Sequence, residues 1–528
     1  MSRDGRALAA LLLLALAMLT AGLGLRDAWP ADEPRFALVA QEMVASGDWL
    51  FPTVGGDLYP DKPPLFFWVV AGLHAAGLPL NIALLLPALG AALLVLILVY
   101  DLARRLWSPR AGLLAAALLT FSVQFLLQGR SGQIDGFLLG LTTLSLYGLL
   151  RHLLLGPAWG WWQLGWAAAG LGVITKGVGF LPLLVLLPWI ALHRGTVSGS
   201  RAQWSSGPVA MLAVIAAWLV PMLWVAAGDP ALGAYRDEIL FRQTAVRYAE
   251  PWIHHRPPWY FLVEVVPLLW LPVVLLVPWL VPRWRDAWRA RDLRVLLPLA
   301  WVLLVLVFFS ASPGKRDVYI LPALPALVLA AAPWLDMLRG RRGVQRVLRA
   351  ALAVLALVCI GLAGTGRLDA LVARYGFDPR AWLAILAVTA GAAAMWGGGR
   401  RAPAAWALVV FMTVMGWGWS LMPRIDPLRS AAPFMAEVAA HVPAGGQLGL
   451  VGWKEQFWLR APPGTVHFGF RHPQPEEELA MARDWLADDA RRRVLVAGNH
   501  PGFEPTDGEY IGRRHRQDWW LISATPSP

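Results

Sequence analysis

The sequence predicts an all-α polytopic membrane protein with a small α/β domain at its C-terminal end, on three observations. Of 528 residues, 57% are hydrophobic and only 15% charged. With a mean hydropathy of +0.53, the chain carries more apolar surface than a soluble core of this size buries. The apolar residues gather in runs long enough to cross a bilayer. After Arg424 the runs shorten and charge returns between them, the pattern of strands and a helix around a modest core.

In chain order, residues 7 to 25 form an apolar run behind Arg3 and Arg6. With no clear small-residue cleavage site, it reads as a retained signal anchor. Further spans are expected near 80–100, 111–128, 134–150, 162–175, 178–192, 207–227, 262–281, 295–311, 318–338, 345–364, 381–396 and 403–422, making about thirteen helices in all. Every second loop is basic: Arg104, Arg105 and Arg110; Arg151; Arg194 and Arg201; Arg283 to Arg294; Arg339 to Arg349; Arg400 and Arg401. Basic loops stay inside, which places the N-terminus in the cytoplasm. The first loop, the 228–261 loop, the Ser312–Asp317 turn and the C-terminal domain are then outside. The net charge of +12 therefore follows from topology, and no nucleic-acid partner is expected. The single cysteine, Cys359, excludes an intrachain disulfide and a thiolate metal site. The expected division is a transmembrane domain over 1–422 and a soluble domain over 423–528.

The first loop, 26–79, is too long and polar to be a connector. From Arg35, the apolar residues Phe36, Val39, Ala40, Met43 and Val44 line one helical face. Asp32 or Glu33 can cap this helix, Pro34 fits its first turn, and Gly47 can end it. A second short helix is expected from Pro63-Pro64 through Trp68, both helices lying along the interface. In the tail, LGLVGW, VHFGF, VLVAG and WWLIS read as strands and EEELAMARDWLADDA as a helix.

Several polar groups could carry chemistry. Asp32 and Glu33, beside Arg35, are ordinary capping residues by statistics, yet an acid here could also orient or deprotonate an acceptor. The run from Tyr59 through Asp61 and Lys62 to two prolines makes a rigid corner suited to a phosphate or metal, or else a solvated turn with a snorkelling lysine. Asp135 stands at a membrane edge after Arg130, where an acid is either a cap paired with that arginine or a functional group. Lys176 occupies a tight turn between apolar spans and suits a lipid phosphate. Arg256 follows two histidines, His254 and His255, which with Asp61 leave a metal site open. Tyr319 follows Lys315 and Arg316 at another edge.

The run ADEPRFALVAQEMVASGDWLFPTVGGDLYPDKPPLFFW resembles the first extracytoplasmic loop of bacterial polyprenyl-phosphate-sugar transferases. The aminoarabinose transferases that modify lipid A, kin of the protein O-mannosyltransferases, are the nearest group. TKG at Lys176, HHRPPWY at His254 and KRDVYILPALP are similar too, so the resemblance runs from about residue 7 to 340. It implies a GT-C type glycosyltransferase fold in the bacterial inner membrane with its C-terminal domain in the periplasm. The implied donor is a polyprenyl-phosphate-linked sugar, the acceptor lipid A or another envelope molecule, and the transfer inverting. Asp32 and Asp135 match catalytic acids. Glu33, Arg35, Tyr59, Lys62, Lys176, Arg256 and Tyr319 fall in substrate-binding stretches. Asp61, where relatives carry Glu, and His254, with His255 as alternative, match a possible divalent metal site for zinc, magnesium or manganese. No nucleotide or flavin is expected. A protein O-mannosyltransferase-like enzyme and a flippase of polyprenyl-linked sugars are the alternatives. Flippases concentrate polar groups at the midplane, whereas here they cluster in loops.

Overall fold

The computed structural model describes residues 3–241, 255–470 and 474–524. It divides into two compact units. One comprises residues 1–23, 61–66 and 85–421; the other comprises 24–60, 67–84 and 422–528.

Six described helices are long and apolar enough to cross a membrane: Leu80–Leu106, Ile134–Leu155, Arg201–Ala226, Leu293–Ala311, Arg342–Ala363 and a composite over Gly399–Arg429. Two broken pairs raise the number to eight. Pro109–Thr120 and Val123–Gly129 meet at 69°, and Phe261–Leu269 and Val273–Ala290 meet at 99°. Three further apolar helices, Leu65–Ala75, Val178–Leu192 and Arg380–Trp396, are shorter, whereas the expectation of about thirteen helices rests on hydropathy, which registers neither breaks nor helix length. The run 178–192 folds as a 3₁₀ segment, Val178–Val185, with Pro182 inside it, followed by a short helix, Leu186–Leu192. Over 318–338 the chain alternates 3₁₀ and α turns.

In this first unit, the helix Trp159–Lys176 turns back at Gly177, whose φ of +62° suits glycine. The turn presses the following 3₁₀ segment against the helix it has just left. A Cβ on Gly179 would stand 2.0 Å from the carbonyl carbon of Gly172. This backbone contact fixes where Lys176, the last residue of the helix, is held. Arg130 closes the first helix, Arg3–Thr20: its guanidinium donates to the carbonyl of Met18 and, at 2.7 Å, to that of Ala21, neutralising a helix C-terminus.

The second unit contains the helix Glu33–Ser46, ended by Gly47 at φ +74° with its N–H on the Met43 carbonyl. Glu42 on this helix accepts from Thr53 Oγ1 and the Gly55 N–H, both at 2.6 Å. It thereby holds a small hairpin of Thr53–Val54 with Asp57–Leu58, whose Gly55-Gly56 turn has positive φ at both residues. The tail forms a five-stranded sheet in the order Val466–His467, Leu448–Val451, Arg493–Ala497, Gln517–Ile522, Glu509–Arg514. The first two pairings are parallel and the last two antiparallel. The helix Pro475–Ala487 supplies the parallel crossover and buries Leu479, Ala482 and Leu486 against Val451, Val494 and Val496.

Gly179→Ala is expected to destabilise the protein by about 1–3 kcal/mol, because backbone rather than a flexible side chain fills the space. Thermal unfolding of the detergent-solubilised variant measures it.

Candidate active site

In the first unit, Asp135 opens the helix Ile134–Leu155, and Lys176 ends Trp159–Lys176. Their side chains meet at 2.5 Å, 10% and 15% exposed. An isolated charge at such a position costs far more than a paired one. The Lys176 ammonium also lies 4.6 Å from the Tyr319 ring centroid. Leu138, Thr142, Trp301, Val305 and Phe309 line the rest of a small cavity around the pair. Asp135 thus pairs with Lys176, while Arg130 serves a helix terminus. An ammonium has three donors, so Lys176 can exchange or share its carboxylate with an incoming anionic oxygen.

Other predicted residues surround the neighbouring loops of this unit. The backbone of His255 bridges Gly314, and the Arg256 N–H donates to the Pro313 carbonyl at 3.2 Å. The 255–256 and 312–317 segments are thereby stitched together. Arg256 is exposed, its guanidinium 5.5 Å from the Tyr260 ring centroid. Lys315 is buried and donates to the carbonyls of Arg256, at 3.0 Å, and Ser312; burial pushes its pKa down. Lys62 donates to the carbonyl of its neighbour Asp61 at 2.8 Å. His254 lies outside the described residues. Among the described residues no three His, Cys, Asp or Glu side chains gather to hold a metal.

In the second unit, Asp32 is half-buried at the N-cap of Glu33–Ser46, yet its carboxylate accepts no capping hydrogen bond. Its neighbour behaves differently. Glu33 is 4% exposed, receives both Arg26 Nη atoms, Nη2 at 2.7 Å, and accepts the Trp29 N–H at 2.9 Å. Arg35 donates to Glu455 at 2.5 Å. Burial alone would lower the pKa of Arg35, but the nearby Tyr59 and Glu455 raise it. Tyr59 is itself buried, edge-on to Phe67.

Sequence reasoning missed the groups that hold this segment. Asp27 receives Arg460 through both Nε, at 2.7 Å, and Nη2, and accepts Ser430 Oγ at 2.9 Å. Asp426 accepts the Asp27 N–H and Trp29 Nε1 at 2.8 and 2.7 Å. Only the excess of charge in the tail hinted at them. Burial would raise the Asp27 pKa, but the hydrogen bond and charge of Arg460 more than reverse it and leave it lowered. Asp32 therefore stands on a backbone fixed on both sides by ion pairs, of which Arg26–Glu33 is fully buried.

Residues 61–224 match the family model described as dolichyl-phosphate-mannose-protein mannosyltransferase. The structure of ArnT from Cupriavidus metallidurans is similar over 100% of both chains. The TM-score is 0.78 for its apo state and 0.75 for the form bound to undecaprenyl phosphate, each at 22% identity. The fold is thus that of a membrane glycosyltransferase. Undecaprenyl phosphate-alpha-4-amino-4-deoxy-L-arabinose arabinosyl transferase of Pseudomonas aeruginosa strain UCBPP-PA14 is 31% identical over 94% of this chain and 94% of its own. The protein of that name from Pseudomonas savastanoi pv. phaseolicola is 32% identical over 68% of this chain and 67% of its own. The chain belongs to this arabinosyl transferase family.

Two outcomes are expected. Lys176→Met alone destabilises by about 3 kcal/mol because it strands a carboxylate, and the Asp135→Asn/Lys176→Met double variant costs less than the two singles summed; thermal midpoints in detergent measure both. The lowered pKa of Asp27 contributes stability that is complete above the ordinary carboxylate value and is lost as pH falls through the folded one. As pH falls below ~4 the wild-type midpoint therefore falls more steeply than that of Arg460→Gln.

Proposed function

We propose that this protein transfers a pentose of the aminoarabinose type from a polyprenyl-phosphate donor to a lipid A-like acceptor. The observation that carries the reading is the 31% identity maintained over 94% of both chains with an arabinosyl transferase. We assign the reaction to the outer face of the inner membrane, with the N-terminus and the arginine-rich loops inside and residues 423–528 in the periplasm. The alternation of basic loops supports this orientation.

Chemically, an acceptor oxygen attacks the anomeric carbon on the face opposite the phosphate. The bond from that carbon to the phosphate oxygen breaks, polyprenyl phosphate leaves, and the configuration inverts. Negative charge grows on the leaving phosphate, and cations of low mobility stabilise it best. Lys176 suits this role, held between Asp135 and Tyr319, and Lys62 and Arg256 are assigned to the same anion. Asp32 is assigned to the acceptor. If the acceptor is a hydroxyl, Asp32 takes its proton; if it is a phosphate, already anionic, Asp32 orients it. Glu33, committed to Arg26 and Trp29, keeps Asp32 in place, and Arg35 and Tyr59 support the same helix.

A second reading, hexose transfer to protein, is favoured by the mannosyltransferase model that matches residues 61–224. Mass spectrometry of envelope lipids and proteins decides between them through the mass added and the molecule that carries it. In the same assay Asp32→Asn is expected to lower transfer by about 10²–10⁴-fold while the protein still accumulates in membranes. Turnover near the wild-type rate would remove Asp32 from the reaction.

A further inference from the structure

A second cavity lies in the membrane unit, away from the Asp135–Lys176 pair. It is a groove with about 1000 Å³ of empty space, part of it open to the surroundings. Leu118, Leu276, Leu335 and Trp406 represent its apolar walls, and Arg339 and Arg400 are its charged lining residues.

Its apolar end lies at the two helix breaks, where Phe121 and Pro272 contribute. Breaks expose backbone polar groups, but these are satisfied within the protein. The Val123 N–H donates to the Leu271 carbonyl at 3.0 Å, and Trp406 Nε1 donates to the Phe121 carbonyl at 3.2 Å. That end therefore presents hydrocarbon to its occupant. The other end is basic. Asp336 is shared by Arg110 at 2.7 Å and Arg339 at 2.8 Å, while Arg400 is exposed with no ion-pair partner among the described residues. Two guanidinium groups thus share one carboxylate, and Arg400 adds a third positive charge to the lining.

The basic rim and the Asp135–Lys176 pair adjoin opposite ends of the run 319–339. Tyr319, beside Lys176, and Arg339 lie at the two ends of this run, which includes the helices Ala323–Ala331 and Leu335–Arg339; at the α-helical rise its length comes to about 30 Å. That is the thickness of a bilayer's hydrocarbon core.

We propose that this groove is a binding site for an anionic glycerophospholipid of the arginine-side leaflet, its acyl chains along the apolar wall and its phosphate between Arg339 and Arg400. Basic pockets between membrane helices recognise such headgroups. The polyprenyl phosphate of the reaction is the poorer occupant. With its phosphate at this rim, its reactive end would stand a membrane's thickness from Lys176.

Thermal unfolding and native mass spectrometry of the purified full-length protein in detergent test the proposal, with dioleoyl-phosphatidylglycerol, dioleoyl-phosphatidylcholine and undecaprenyl phosphate added separately. Phosphatidylglycerol is expected to raise the wild-type midpoint and to be retained as an adduct, and phosphatidylcholine to do neither. The Arg339→Gln/Arg400→Gln variant should bind phosphatidylglycerol about tenfold or more weakly and still respond to undecaprenyl phosphate as wild type does. Ala404→Trp, which fills the groove and leaves the rim intact, should abolish the phosphatidylglycerol shift and stands in if the arginine variant does not fold. Equal shifts with both glycerophospholipids, an unchanged phosphatidylglycerol response in the variants, or loss of undecaprenyl phosphate binding instead would overturn it.

Discussion

A helix that breaks inside an apolar layer must find partners for the backbone groups it releases, and no water is there to supply them. The membrane unit is arranged around meeting that demand. Gln124, fully buried just after the first break, donates to the Asp317 carbonyl at 2.8 Å and accepts Trp270 Nε1 at 2.7 Å. One side chain thus joins both breaks to the loop that precedes Tyr319. The same demand explains Arg130, spent on the carbonyls of the first helix. The polar residues of this unit therefore serve two purposes: some satisfy broken backbone, while the pair at Asp135 and Lys176 lines a cavity.

Charge in the second unit follows a different logic. Adjacent acids on one turn have opposite fates: Glu33 is buried under Arg26, while Asp32 is half-buried at a helix start with no capping duty. A carboxylate in that position is stabilised by the helix terminus. Replacing Glu33 would strand Arg26, so the pair is best understood as support for its neighbour.

The elements that were legible in the sequence are those governed by local rules. The helix Glu33–Ser46 announced itself by its apolar face, its proline and its terminal glycine, and four strands and the helix Pro475–Ala487 by short apolar runs. Glu509–Arg514 escaped because it is an edge strand with polar and exposed residues at most positions. The glycine pair of the small hairpin was visible, but two-residue strands carry no period. At the site, Asp135 and Lys176 were singled out separately, yet their pairing was not foreseen, since 41 residues of sequence separate them. Arg26, Asp27, Asp426, Glu455 and Arg460 were missed for the same reason on a larger scale: an ion pair leaves no periodicity.

Asp27 and Arg460 are 433 positions apart, and this distance has a consequence for biogenesis. At a synthesis rate of about 5–20 residues per second, the acid-bearing loop leaves the ribosome roughly 20–90 seconds before its arginine exists. For that interval Asp27 has no Arg460, and the backbone carrying Asp32 is without half of its framework. The framework of the first loop is thus closed by a contact whose two halves are made far apart in time, and it is completed only once Arg460 has been added.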